Sequence, residues 1–423
     1  MERKYSSMAL EHNKKFIKAV YDLYDGQNRK VIGEYAKRYA DLYKRHAGRF
    51  DGEVFFFSSP GRIEICGNHT DHNNGKVLAA AVTIDTLACV SLNDENTINI
   101  ASYGFPEINV NLGDLAQRDD EVNTNGLVKG IIKRLKDFGY KAGGFNATTT
   151  SDVFKGAGVS SSAAFELLVA EIVNVLFNDG KITKVQKAIA SQYAENVYFK
   201  KPCGLMDQMA ASLGGISEID FKDEKKPNIR KVRWGFKDLA IFVVNCGGDH
   251  SDLTADYAAI RTDMESVAEL FGKAKLRFVR PSLVYDGIAD IQRDISGRAA
   301  LRALHYMEEN RRVNAATDAI VNGDEKTFLE CVALSGESSS RLLQNYHTPT
   351  DAVQAIPVAV AIAKRFDGVR AVRVHGGGFA GTILAFADAD KKKAFYSHMS
   401  DIYGKKNVYV LNIRRKGATV VQL

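Results

Sequence analysis

"FKGAGVSSSAAFELLVAEIVNVLF", residues 154–177, decides how this chain is read. A glycine-rich turn with three serines opens directly into a long apolar helix. Gly156 and Gly158 let backbone N–H groups approach a ligand closely, and the helix that follows adds its positive N-terminal end. The hydroxyls of Ser160, Ser161 and Ser162 add donors and a candidate Mg²⁺ ligand. The arrangement is an anion cradle, and phosphate is the obvious anion. No Lys-Ser/Thr follows the glycines, so this is not a Walker loop. Ser161 stands at the third glycine position, so it is not a dinucleotide fingerprint either. Taken alone, the same pattern also describes an ordinary well-capped helix.

Upstream, residues 9–24 and 29–46 read as two helices broken at "DGQN", with no recognisable chemistry of their own. "EVFFFSSPGRIEICG" reads as a strand that meets Pro60-Gly61 and then a second short strand, Arg62 to Cys66. "KVLAAAVTIDTLACVSL" and "TINIAS" are further strands, and residues 125–139 form an amphipathic helix. Downstream, a helix near 182–199 leads into "KKPCGLMDQMAASLGG". Composition shifts around "DEKKPNIRK", 223–231, a candidate domain border. After it come a strand, "LAIFVVN", several helices between 252 and 343, and a closing alternation of strand and helix. The class is α+β with two lobes.

Composition excludes several functions. The chain has 423 residues, 45% hydrophobic and 26% charged, as in an ordinary globular protein. A net charge of +6 is mild for this length, and short runs such as Lys391-Lys392-Lys393 lack interleaved aromatics, so no nucleic-acid footprint is present. Five widely spaced cysteines with no C-x-x-C pair suit reduced thiols; Cys203 reads as a small buried hydrophobe. No apolar leader opens the sequence and no apolar run spans a bilayer, so no membrane partner and a cytoplasmic location are expected.

Three more stretches carry candidate chemistry. In "CGLMDQMAASLGG", Asp207 lies among small residues: a turn or cap by default, or a group that accepts a hydroxyl proton beside a phosphate donor. Glu195, twelve positions earlier, reads as a solvated helix face or a metal support. "HGGGFAGTILAF" has Gly376 to Gly378 just before a strand, where backbone can pack against a ligand. "GNHTDHNNG", 67–75, offers His69, Asp71 and His72. A zinc run would need a histidine where Gly67 stands, so the mixture of acceptors and donors reads better as a sugar pocket.

Together these stretches resemble the galactokinase branch of the GHMP small-molecule kinases. "PGRIEICGNHTDHNNGKVLAAAV" is similar to the galactokinase signature, G-R-V-N-L-I-G-E-H-T-D-Y-N-G-G-x-V-L-P. "KGAGVSSSAAFE" resembles the phosphate loop G-x-G-L-S-S-S-A, "CGLMDQ" matches C-G-[IL]-M-D-Q, and "HGGGFAGTILAF" resembles the third motif, G-G-G-F-G-G. "NGLVKGII", "HSDLTADY" and "RALHYMEENRRV" are weaker likenesses, and the similarity covers roughly residues 50–423.

The resemblance implies a two-lobed GHMP kinase fold: a helical extension at 1–49, an N-terminal lobe at 50–228 and a C-terminal lobe at 229–423. It implies an ATP- and Mg²⁺-dependent sugar-1-kinase acting on galactose. Arg62 would sit by the transferring phosphoryl group and Asp207 would be the base or orienting carboxylate. Gly156, Gly158, Ser160, Ser161 and Ser162 would line the phosphate loop. Ser162 and Glu195 would hold Mg²⁺, and Asn68, His69, Asp71, Gly204 and Tyr257 would contact the sugar. The chain departs from the signature at Glu64, Asn68 and His72, where Asn, Glu and Tyr are usual, and at Ala380 in the third motif. Two readings of Asn68 follow. It relaxes specificity at C6 toward a sugar such as galacturonate, with His72 adding charge if protonated; or Glu64 and Asn68 have exchanged roles and galactose remains the substrate. A sensor without catalysis is the third alternative, against which the complete serine loop and Asp207 argue.

Overall fold

A computed structural model of the chain describes residues 10, 13–24, 29–153, 158–248, 253–348 and 350–422. Two helices come first, α1 (Lys14–Leu23) and α2 (Arg29–Ala47). Then follow β1 (Val54–Cys66), β2 (Lys76–Leu92), β3 (Thr97–Ser102), β4 (Ile108–Asn111), α3 (Thr124–Asp137) and β5 (Phe145–Ser151). The apolar helix α4 (Ser161–Asn178) leads to α5 (Lys184–Tyr193), a π turn (Ala194–Tyr198), α6 (Met206–Leu213), β6 (Ile216–Asp220) and β7 (Asn228–Val232). The remainder runs β8 (Leu239–Gly247), α7 (Thr254–Leu270), α8 (Pro281–Asp286), α9 (Ile288–Asp294), α10 (Gly297–Asn322) and α11 (Glu325–Ser338). It closes with α12 (Ala355–Arg365), β9 (Val369–His375), β10 (Gly381–Asp388), α13 (Lys392–Tyr403), β11 (Val408–Leu411) and β12 (Thr419–Val421).

Among the described residues the strands form two sheets. The larger has the order β12-β1-β2-β5-β3-β4, with β6 also on β2 and β7 on β6; the smaller is β11-β8-β10-β9. The lobe border expected at 228/229 therefore falls inside β7, and β12 brings the end of the chain back to the first sheet. Helices α10 and α11 lie between the sheets: Val313, Phe328 and Val332 share one core with Ile63, Leu78 and Val82 of the first sheet and Leu384 and Phe386 of the second. Helix α4 is long and apolar enough to cross a membrane, yet it packs in the interior, with Leu168, Val169 and Ile172 against the strands and α3.

The two short strands expected around Pro60-Gly61 are one strand, β1, with its register shifted between Pro60 and Arg62. A bulge absorbs the proline, which has no N–H to give the ladder. A β-carbon on Gly61 would lie 2.9 Å from the carbonyl of Val159. This glycine lets the end of the phosphate loop lie against the strand.

The N-terminal helices, read from sequence as chemically silent, seat a buried charge cluster. Phe16 packs edge-on to Tyr39, and Tyr39 to Phe56 of β1. Asp85 of β2 is fully buried and accepts from Tyr24 at 2.5 Å, Arg38 at 2.9 Å, Arg414 at 3.0 Å and the Ser58 hydroxyl. Arg38 also reaches Asp152 at 3.0 Å, just before the phosphate loop.

Asp85→Ala leaves the guanidinium of Arg414 buried beside an empty site, and Arg414 is fully buried. Chemical denaturation is expected to show a loss of at least about 3 kcal/mol, the scale for breaking a buried pair. A loss of only about 1 kcal/mol or less, the scale of an exposed pair, would contradict the cluster's structural role.

Candidate functional site

The site forms where β1, the phosphate loop and α6 meet the end of β9. The backbone N–H of Arg62 donates to the Val159 carbonyl at 3.0 Å, which fixes the strand to the loop. The Arg62 guanidinium then forks onto Asp207: Nε to Oδ1 and Nη2 to Oδ2, both at 2.7 Å. Its Nη1 donates to the Gly158 carbonyl at 2.5 Å. A bidentate guanidinium–carboxylate pair fixes both planes as well as the charge. Burial alone would push the Asp207 carboxyl up, but the Arg62 charge and the hydrogen bonds from Arg62 and Ser160 outweigh it and hold Asp207 below the usual carboxylate range.

Ser160 enters α4 with a left-handed backbone, φ 60°, which turns the loop onto the helix. Gly158 has φ 68°, and a β-carbon there would meet Thr382 Oγ1 at 1.9 Å, so only glycine lets the loop touch β10. Ser162 Oγ lies 3.3 Å from Glu195 Oε1. Glu195 is buried, not on a solvated face, because the π turn at Ala194–Tyr198 rotates it inward. Gly156 lies outside the described residues, and Ser161 is the first residue of α4.

The loop 67–75 faces the same space. Asp71 accepts from the N–H groups of His72 at 2.9 Å and Met206 at 3.2 Å. A β-carbon on Gly204 would fall 1.7 Å from Asp71 Oδ2, so α6 approaches the loop only because residue 204 is glycine. Burial lifts the Asp71 carboxyl to about 6. His69 Nε2 donates to the Gly377 carbonyl at 2.8 Å, and its ring stacks on Tyr257 with centroids 6.4 Å apart. Burial draws His69 down to about 4, so at neutral pH its Nδ1 is a free acceptor. Tyr257 donates to Gly378 at 3.0 Å.

Asn68 does not face this space. Its Nδ2 donates to Glu64 Oε2 at 3.1 Å and the Gly376 carbonyl at 2.8 Å. Its Oδ1 accepts from Asn345 at 2.8 Å and Ser339 at 3.3 Å. All four hydrogen-bonding positions of the amide are filled inside the protein. The Asn68 side chain is thus engaged in the network under the loop. Burial and then His69 hold the His72 ring well below the usual value.

Several residues have partners or roles that the sequence reading did not give them. Glu64 pairs with Arg373 at 2.6 Å, with both side chains essentially out of water. Glu309 accepts the Gly67 N–H at 2.8 Å and pairs with Arg312; burial works against its charge, but His305, Arg312 and Arg373 hold it down at about 2. Lys201 contacts Glu195 Oε1 at 2.9 Å. Cys203, read as a small hydrophobe, is half-buried and its thiol donates to Glu195. Lys201 and Cys203 carried a signal as the "KKPC" that leads into "GLMDQ", Glu64 as a departure from the signature, and Glu309 and Arg312 within "RALHYMEENRRV".

The galactokinase galactose-binding signature matches residues 44–92, and the GHMP kinases N terminal domain matches residues 126–215. A galactokinase of Clostridium tetani is 30% identical over 381 residues, which is 90% of this chain and 94% of that protein. The crystal structure of Lactococcus lactis galactokinase complexed with galactose superposes with a TM-score of 0.79 at 25% identity, over 91% of this chain and 100% of that one. The mevalonate kinase of Methanococcus jannaschii gives 0.60 at 15% identity, over 86% of this chain and 99% of that one, a likeness of fold alone.

The Glu64–Asn68 contact generates a prediction. Asn68→Glu sets a second carboxylate against Glu64, and Glu64→Asn strips Arg373 of its partner. Each single substitution is expected to lower stability, and the double exchange less than their sum, with a coupling of about 1–3 kcal/mol. Additive losses in a double-mutant cycle by denaturant unfolding would refute the exchange of roles.

Proposed function

The chain belongs to the galactokinase family of GHMP kinases, and from that premise we propose how its cleft moves the γ-phosphoryl group of ATP to the C1 hydroxyl of galactose. The observation that carries the proposal is the Arg62–Asp207 fork set against the Gly158 carbonyl. Phosphoryl transfer asks little covalent chemistry of the protein; it asks for alignment and charge stabilisation. Arg62 and the N–H groups of the phosphate loop supply positive charge where the phosphoryl group moves. Asp207, held ionised by Arg62, orients the sugar hydroxyl and accepts its proton as the new P–O bond forms. Its lowered pKa suits an orienting carboxylate better than a strong base.

His69, Asp71, Gly204 and Tyr257 read the sugar. The Asp71 carboxylate and the Nδ1 of neutral His69 offer acceptors to ring hydroxyls. With Asn68 turned inward and His72 uncharged, the cleft favours a neutral sugar over a C6 carboxylate. Mg²⁺ fits Ser162 Oγ and Glu195 Oε1, two hard oxygen donors at the N-terminus of α4. When bound, Mg²⁺ neutralises charge on the phosphate oxygens. The residues of the cleft come from both expected lobes, and we set the border between them just after β7, with β12 rejoining the first. The five free cysteines accord with a reducing cytoplasm.

Two outcomes follow. Asp207→Ala is expected to lower kcat for galactose by at least about 10²-fold while galactose binding by calorimetry persists. Wild-type turnover in that variant would remove Asp207 from the reaction. The second outcome concerns pH. The Asp71 carboxyl, lifted to about 6, takes up a proton as pH falls through that value and loses acceptor capacity. Galactose affinity is expected to weaken below about pH 6 and to lose that dependence in Asp71→Asn. A flat affinity profile from pH 5 to 8 in the wild type contradicts the role given to Asp71.

A further inference from the structure

The two oxygens of Glu195 have different surroundings. Oε1 meets the Ser162 hydroxyl at 3.3 Å and the Lys201 ammonium at 2.9 Å, on the phosphate-loop side. Oε2 meets Gln208 Nε2 at 2.9 Å and the Cys203 thiol at 3.3 Å, on the interior side. The Lys201 side chain is 59% exposed, whereas Gln208 is 0% exposed. Water competes for the first contact and not for the second.

The other hydrogen of the Gln208 amide goes to Glu166 Oε2 at 3.1 Å, and Glu166 is also 0% exposed. Two carboxyl groups thus claim the same NH₂, which settles the direction of the amide. Among the described residues the Oε1 atoms of Gln208 and of Glu166 are both buried without a partner. A buried amide that leaves its oxygen unsatisfied to keep its NH₂ on a carboxylate is held there at a cost. Gln208 also follows Asp207 directly in the chain. Successive helical residues point about 100° apart. The first turn of α6 therefore aims one side chain at Arg62 and the next at Glu195.

We propose that Gln208 is a positioning residue for the metal. It fixes the plane of the Glu195 carboxylate so that Oε1 faces Ser162, and it registers that carboxylate to Asp207 through one helical turn. The proposal rests on the reading of Ser162 and Glu195 as Mg²⁺ ligands. Residues that orient a metal carboxylate typically change metal affinity when removed, without touching the metal. Cys203 is a weaker donor on the same oxygen and does not replace an amide.

The test measures two affinities on the folded full-length enzyme: Mn²⁺ for the enzyme–ADP complex, by the loss of free-ion electron paramagnetic resonance signal, and galactose, by calorimetry. Gln208→Met keeps the length and removes the donors; it is expected to weaken Mn²⁺ roughly tenfold and leave galactose affinity unchanged. Gln208→Glu keeps the shape and donates at most one hydrogen; it is expected to weaken Mn²⁺ as well, and it decides the matter if the Met variant does not fold. Unaltered Mn²⁺ affinity, or equal weakening of Mn²⁺ and galactose as for a mere packing defect of α6, overturns the proposal. Glu195→Gln separates the two readings. If it weakens Mn²⁺ and the Gln208 variants do not, the role of Gln208 alone fails. If it leaves Mn²⁺ untouched, the metal assignment itself fails and the proposal with it.

Discussion

The ion pair between Glu64 and Arg373 fixes the cleft. Both side chains are out of water, and Arg373 also donates to the Ile65 carbonyl at 2.8 Å and the Val374 carbonyl at 2.9 Å. β1 of the first sheet is thereby clamped to β9 of the second. Removing one member of such a pair costs about 3–5 kcal/mol, because the other charge is left buried. The geometry of the site follows from the clamp. Arg62 lies two residues from Glu64, on the same side of the strand. The chain leaving β9 passes Gly376, Gly377 and Gly378, which lie against Arg62, Tyr257 and Asn345. The strand that carries Arg62 and the glycine turn after β9 share one anchor.

Two carboxylates close together in this cleft are pushed in opposite directions. Asp207 has a guanidinium across both oxygens and is held low; Asp71 accepts from the backbone N–H groups of His72 and Met206 and is lifted by burial. The environments assign the work. An ionised, rigidly aligned carboxylate suits the reacting hydroxyl, and a carboxylate that titrates near neutrality suits the binding of neutral hydroxyls. The π turn after α5 sets a third acidic group, Glu195, beside Ser162 of the serine loop, where it also meets Lys201.

What the sequence made legible was what lies within short reach along the chain. The turn from Gly158 through Ser162 into α4 was readable because its glycines, serines and apolar run are contiguous, and the residues around Arg62, Asp71 and Asp207 stood in recognisable stretches. For Asn68 only the link to Glu64, four residues away, was within local reach; Ser339, Asn345 and Gly376 fill the rest of its amide from hundreds of positions away, a pairing that no local pattern encodes. Pro60-Gly61 divided the stretch into two strands because those residues usually interrupt one; here a bulge and the carbonyl of Val159 use them inside a single strand. Glu195 had two readings, a metal support or a solvated helix face; it lies in a π turn and is buried, which no residue of an ordinary helical pattern there announces. Helices α1 and α2 seemed silent since Tyr24 and Arg38 acquire meaning only beside Asp85.

The most direct test of the account is the identity of the product. Purified protein is incubated with ATP, Mg²⁺ and galactose, and the mixture is followed by phosphorus nuclear magnetic resonance with proton coupling. The account predicts a new phosphomonoester coupled to the anomeric proton of galactose, formed one-for-one with ADP and absent without the sugar. ADP release with no sugar phosphate, or a phosphate on a carbon other than C1, would contradict it.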